Sequence, residues 1–286
     1  MTKIKIVTDS SVQLTPEEIS ENNISIIPLS VEINETNYVD GVDITREEIV
    51  TFLKKGQIPK TSQPAIGKMV ETFNQLGADG SHIIAIMMSD TLSGTYQTAV
   101  NARDLADTDV TVINSKSTDR GLAFQVLAAA ADAKNGKSVT EIVAHCTDIK
   151  ERTEISVLID NLDALVQGGR LNRFAGALTN LLNIKIVVKL LEDGLHIVYK
   201  GRSRKSLLKY AREIHAAHTT NKIQKLSLSN VDTDAAFLDS LETEILDEQL
   251  PEPILRRLTS PIIMAHTGVN AVGVITLSTE KVDEAV

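Results

Sequence analysis

The chain contains no tryptophan, and aromatic residues make up only 3% of its 286 positions. Its interior must therefore be built from Ile, Leu, Val and Ala. These give aliphatic walls rather than stacking platforms, which argues against a reader of bases or single-stranded nucleic acid. A basic field is missing as well: the formal charge is −9, so nothing draws in nucleic acid or an anionic membrane surface. With one cysteine, Cys146, an internal disulfide is excluded and a reducing compartment fits. The start MTKIKIVTDS has no apolar signal core, and no apolar run approaches the roughly 18 residues of a spanning helix. The expectation is a cytoplasmic protein without a transmembrane segment.

Several motifs are also missing. NGKS at 135–138 has Ala131 where a P-loop needs its first glycine, and no G-x-G-x-x-G occurs, so nucleotide binding has no support. No G-x-S-x-G elbow surrounds Ser93, and the six histidines lack zinc-ligand spacing. No metal or organic cofactor is expected.

What is present is an alternation. Hydrophobic residues at 42% can bury a core, and the length suits two domains. KIKIVTDS, ISIIPLSVEI, HIIAIMM and DVTVIN read as strands between helical stretches. Thr15 reads as an N-cap with Pro16 as the first helical residue, and capping boxes open helices at Thr45–Glu48 and Ser138–Glu141. Near-continuous apolar strands between amphipathic helices predict an α/β domain on a parallel sheet, residues 1–159. From 160 to 286 the texture changes. Asp193-Gly194 joins two apolar runs as a hairpin, followed by a basic helix over 203–218 and an acidic one over 233–248. This predicts a second, α+β domain.

One stretch stands out. SDTLSGT, residues 89–95, carries five hydroxyl or carboxyl side chains in seven residues, between an apolar strand and a helix. A helix start offers unpaired N–H groups and partial positive charge, a ready anion site. Ser93 reads either as a helix cap or as part of such a site, and Gly94 would let another group approach the backbone. KTSQPAIGKM has the same character: Pro64 reads as the first helical residue, with Thr61 and Ser62 free to cap it or to hold an anion. Arg170 follows a glycine pair in QGGRLNR. His266 ends the apolar run IIMAHTG, read as a strand.

Taken together, VTDSS at 7–11, PLSV at 28–31, TSQPAIG at 61–67, DTLSGTYQTA at 90–99, QGGRL at 167–171 and HTG at 266–268 resemble the DegV family, specifically the fatty-acid-binding subunits of bacterial fatty acid kinase. The resemblance implies a two-domain DegV-like fold and a carrier that does no chemistry alone. The carrier would bury a long-chain fatty acid, present its carboxylate to an ATP-dependent kinase subunit, and keep the acyl-phosphate for an acyltransferase. It places the carboxylate on Thr61, Ser93 and His266, with Ser62, Gly94, Thr95 and Arg170 in support, and gives Arg202 a role in engaging the kinase. About 14 buried methylenes at roughly 0.8 kcal/mol each would supply ample affinity. The chain departs from the family pattern at Val269-Asn270, where HTGPG is usual, at Ile186, where Lys-Pro is usual, and at Asn114, where Asp is usual. The alternative of another class is a lipid ester hydrolase with Ser93 as nucleophile and His266 as base.

Overall fold

The computed structural model describes residues 3–169, 184–218, 222–247, 250 and 252–281. Along the chain, β1 (Ile4–Asp9), α1 (Pro16–Glu21) and β2 (Ser25–Ile27) are followed by the hairpin of β3 (Ser30–Ile33) and β4 (Thr36–Val39). Next come α2 (Arg46–Lys54), β5 (Lys60–Ser62), α3 (Ile66–Gly77), β6 (His82–Met87) and α4 (Thr95–Arg103). β7 (Val110–Asn114), α5 (Asp119–Lys134) and α6 (Val139–Glu151) then lead to β8 (Thr153–Ile159) and α7 (Asp163–Gln167). The remaining elements are β9 (Lys185–Leu191), β10 (Gly194–Gly201), α8 (Arg204–Ala217), β11 (Ile223–Asn230), α9 (Ala235–Ile245), β12 (Leu255–Leu258), α10 (Pro261–Thr267) and β13 (Val272–Ser278).

Two units result, Met1–Ile44 with Thr61–Glu151, and Thr45–Lys60 with Arg152–Val286. The expected boundary lay between 159 and 160. It falls earlier because β8 pairs with β9 and β13 rather than with the first sheet. Residues 45–60 join the second unit because α2 packs on α10, Arg46 donates to the Leu258 carbonyl, and Lys54 pairs with Asp232.

In the first unit, the strands run parallel in the order β2-β1-β6-β7. Val7, Ile83, Ala85 and Met87 on one face meet Met69 and Phe73 of α3 and Ala99 and Ala102 of α4. α5 packs against β1, with Leu122, Ala123 and Val126 fully buried. ISIIPLSVEI, expected as one strand, is two strands in different sheets. Pro28 lies between them, and it has no N–H to continue a ladder. Thr15 caps α1 as expected, its Oγ1 accepting from Glu18 N–H at 3.2 Å, and both expected capping boxes form, Thr45 Oγ1 accepting from Glu48 N–H at 3.2 Å and Ser138 Oγ from Glu141 N–H at 3.3 Å.

In the second unit, a mixed sheet runs β10-β9-β8-β13-β11-β12 among the described residues. Strand alternation sends Val187 to the face covered by α8 and α9, and Ile186 and Val188 to the face bearing Leu162 and Leu165 near α7. The hairpin expected at Asp193-Gly194 forms, but its two-residue turn is Glu192-Asp193, because Gly194 already pairs with Leu191 as the first residue of β10. An α/β unit on a parallel sheet followed by a mixed-sheet unit is the expected fold class.

Candidate functional site

In the first sheet, the chain steps from β1 to β2 on one side and later returns to place β6 on the other. The switch point therefore lies between β1 and β6. Ligands of open parallel sheets collect beyond the carboxyl ends of the strands at this point. The hydroxyl turn leaves β6 there. Ser89 is fully buried and its N–H donates to the Ser117 carbonyl at 2.8 Å, while Ser93 N–H donates back to the Ser89 carbonyl at 3.2 Å. Ser89 Oγ and Thr91 Oγ1 bond at 2.8 Å, and Ser93 Oγ and Thr95 Oγ1 at 2.9 Å. The N-cap of α4 is Gly94, which has no side chain to offer, so Ser93 stands one residue outside the expected cap position and accepts from Thr95 N–H at 3.3 Å. Thr95 is buried, Ser93 half-buried and Gly94 exposed.

Gly94 has an ordinary negative φ of −72°, so its glycine is a matter of space, not of dihedral angle. A Cβ there would lie 2.2 Å from Gln63 Oε1. The group that approaches the backbone is thus the Gln63 side chain. TSQPAIG differs from its reading in one respect: α3 starts at Ile66 with Ala65 as N-cap and no side-chain cap, so Pro64 precedes the helix. Thr61 and Ser62 lie in β5, with Thr61 half-buried and Ser62 exposed. They do not cap α3.

Asp9, which the sequence reading passed over, closes the switch point. It is fully buried at the end of β1, and its carboxylate accepts Ser11 N–H at 3.0 Å and Met88 N–H at 2.7 Å. Burial pushes its pKa up, opposed by the hydrogen bonds from Ser11 and Met88. An acidic residue ending the first strand and followed by two serines was the available signal. On the neighbouring loop, Lys116 and Asp119 hold positive φ of 50° and 52°, uncommon for non-glycine residues. Lys116 Nζ pairs with Asp90 at 2.8 Å. Burial raises the Asp90 pKa, but hydrogen bonds from Asn114 and Lys116 outweigh it and hold the carboxyl below its usual range. The departure at Asn114 thus supplies an amide donor where Asp would set carboxylate against carboxylate.

In the second unit, SPIIMAHTG is not a strand. Pro261–Thr267 is a short helix, capped by Ser260, whose Oγ accepts Ile263 N–H at 3.4 Å. His266 sits in its last turn, half-buried. A Cβ on Gly168 would lie 2.6 Å from His266 Nδ1, so the first glycine of QGG makes room for the ring of HTG. Gly169 and Gly268 use left-handed φ of 69° and 74°. Asn270, where the family pattern has glycine, takes φ 64°, which Asn tolerates better than other residues. Arg170 lies outside the described residues. Arg202 is exposed in the turn between β10 and α8.

Burial, with the Asp132 charge nearby, pushes the Cys146 thiol up to about 12, which leaves it unreactive. Among the described residues, no group of three or more His, Cys, Asp or Glu is placed to hold a metal ion, and no helix is long and apolar enough to cross a membrane. A groove of about 1340 Å³ opens at the other, N-terminal end of the first sheet, beside Lys3, Lys5, His82 and Asp109. Its Lys5 is committed to the Leu76 carbonyl and to Asp79. A second groove, about 680 Å³, lies beside Asp163, Val166, Lys185 and Asn270.

The sequence profile of the DegV family matches residues 3–279. A DegV domain-containing protein of Staphylococcus aureus (strain COL) is 37% identical over 97% of this chain and 99% of its own. One from Streptococcus pneumoniae serotype 4 is 38% identical over 95% and 97%. Among solved structures, the fatty-acid-binding DegV family protein from Thermus thermophilus superposes with a TM-score of 0.86 at 26% identity, over 97% of this chain and 100% of that one. A stearic-acid-binding protein from Eubacterium ventriosum superposes with a TM-score of 0.84 at 25% identity, over 97% and 98%. With a family profile and close relatives that span nearly its whole length, the chain belongs to the DegV family.

Proposed function

We propose that this protein is a carrier that binds a long-chain fatty acid and presents its carboxylate to a separate ATP-dependent kinase subunit, whose acyl-phosphate product passes to an acyltransferase of phospholipid synthesis in the cytoplasm. The observation that carries the reading is the Ser93–Thr95 hydroxyl pair at the glycine-capped start of α4, on the switch point of the first sheet. Hydroxyls and backbone N–H groups there suit a carboxylate without the cost of a buried ion pair. The fatty-acid binding of the Thermus thermophilus and Eubacterium ventriosum proteins supports it.

In this reading, Thr61, Ser93 and His266 bind the carboxylate, and Ser62, Gly94, Thr95 and Arg170 support them. The exposed Arg202 engages the kinase, where a rim charge on an acidic protein acts through encounter. The ester-hydrolase reading has no specific observation in its favour: Ser93 Oγ bonds the Thr95 hydroxyl and accepts the Thr95 N–H, neither of which is a base.

The test is solvent extraction of the purified protein followed by mass spectrometry. Stoichiometric long-chain fatty acid is expected, and ester turnover by the protein alone would overturn the reading. With a purified kinase subunit and ATP, Arg202→Glu is expected to keep its lipid and lose acyl-phosphate formation. Loss of the lipid itself would place Arg202 in the binding pocket instead.

A further inference from the structure

Two turns meet at the switch point of the first sheet, and one side chain touches both. The turn after β1 is held by Ser11 N–H on Asp9, at 3.0 Å, and the turn after β6 by Met88 N–H on the same carboxylate, at 2.7 Å. Each oxygen takes one turn. Asp9 is fully buried, so neither hydrogen bond has water as a substitute. Met88 immediately precedes the hydroxyl turn, and Ser89 begins the bonded series that runs through Ser93 to Thr95.

We propose that Asp9 is the positioning residue of the head-group site: by gripping the entry of the hydroxyl turn against the turn after β1, it sets where the Ser93 and Thr95 hydroxyls stand. The inference rests on the fatty-acid reading given above. A carboxylate is the side chain suited to the task, because it accepts at both oxygens, whereas an amide accepts at one and turns an N–H donor against the other backbone N–H. The grip needs no contact with ligand. Its effect reaches the ligand as a displacement of the hydroxyl turn, so it acts on the head group and leaves the tail alone.

Asp9→Asn tests this through selectivity. Affinities are measured for palmitate and for hexadecanol, which share a tail and differ in head group, alongside the melting temperature. The expected result is a loss of about tenfold or more for palmitate, in line with one lost charge-assisted hydrogen bond, with hexadecanol little changed. Unchanged palmitate affinity in the folded variant, or an equal loss for both lipids, would overturn the positioning role. Hydrogen exchange in the unaltered protein decides the matter if the variant does not fold. Palmitate is expected to slow exchange at Ser11–Gln13 together with Met88–Thr95, and slowing confined to Met88–Thr95 would overturn it. Failure of the unaltered protein to bind palmitate at all would sink the carrier reading, a separate outcome.

Discussion

Asp9 and Asp79 sit at opposite ends of the first sheet, and their environments are opposite. Asp9, at the C-terminal end, is fully buried and held by backbone N–H groups, and burial pushes its pKa up. Asp79, at the N-terminal end, is exposed; hydrogen bonds from Ser81 and then Lys5 hold its carboxyl well below the usual range. The open end has the larger groove, and there Lys3 and Lys5 pair with Asp79 in water. The closed end has buried hydroxyls, strained backbone at Lys116 and Asp119, and an acid without a cationic partner. Desolvated polar groups cost stability, so they mark where a fold keeps them for function.

The largest expected consequence is in stability. Asp9→Ala leaves the Ser11 and Met88 N–H groups buried without acceptors, at a cost of roughly 2–4 kcal/mol. Asp79→Ala, at the solvated end, is expected to change denaturant midpoints little. Urea unfolding of the two variants checks this, and equal losses would erase the distinction between the ends. Next in size is ligand binding. Ser93→Ala should weaken palmitate binding by roughly 1.5–3 kcal/mol, the worth of a charge-assisted hydrogen bond, with the fold intact. Ser81→Ala, which removes a hydroxyl from the other end, should leave palmitate affinity unchanged. Calorimetric titration reads both. Gly94→Ala comes third: the added Cβ displaces only the end of the flexible Gln63 side chain, so a stability loss under about 1 kcal/mol is expected, with a shifted Gln63 amide resonance as its signature.

The sequence discloses these features unevenly. The N-cap at Thr15 and the capping boxes at Thr45 and Ser138 were legible because donor and acceptor lie three residues apart, and the Asp193-Gly194 hairpin because its turn is local. The hydroxyl turn was legible as a strand-to-helix passage. His266 was misplaced because a seven-residue helix shows too little periodicity to be told from a short buried strand, although Ser260-Pro261 was a valid start signal. Gln63 against Gly94 and His266 against Gly168 are contacts between distant positions, so only the unexplained glycines hinted at them. The grip of Asp9 on Met88 spans 79 residues, beyond any local pattern.

The smallest effect is the most specific to the contrast, because its sign differs at the two ends. Asp9 has a folded pKa above its ordinary 3.8, so the folded state holds that proton more tightly than the unfolded chain. Its contribution to stability is therefore present below 3.8 and is lost as pH rises through the raised folded value. Asp79 has a folded pKa below 3.8, so the unfolded chain binds the proton more tightly. Its contribution is present above 3.8 and is lost as pH falls through the depressed value. Subtracting the stability of Asp9→Asn from that of the unaltered protein should give a difference that declines with rising pH above 3.8. The same subtraction for Asp79→Asn should give a difference that declines with falling pH below it. Urea unfolding in steps across the acid range measures both. Two differences with slopes of the same sign would mean that the carboxylates share one kind of environment, and the contrast between the closed and open ends of the sheet would fail.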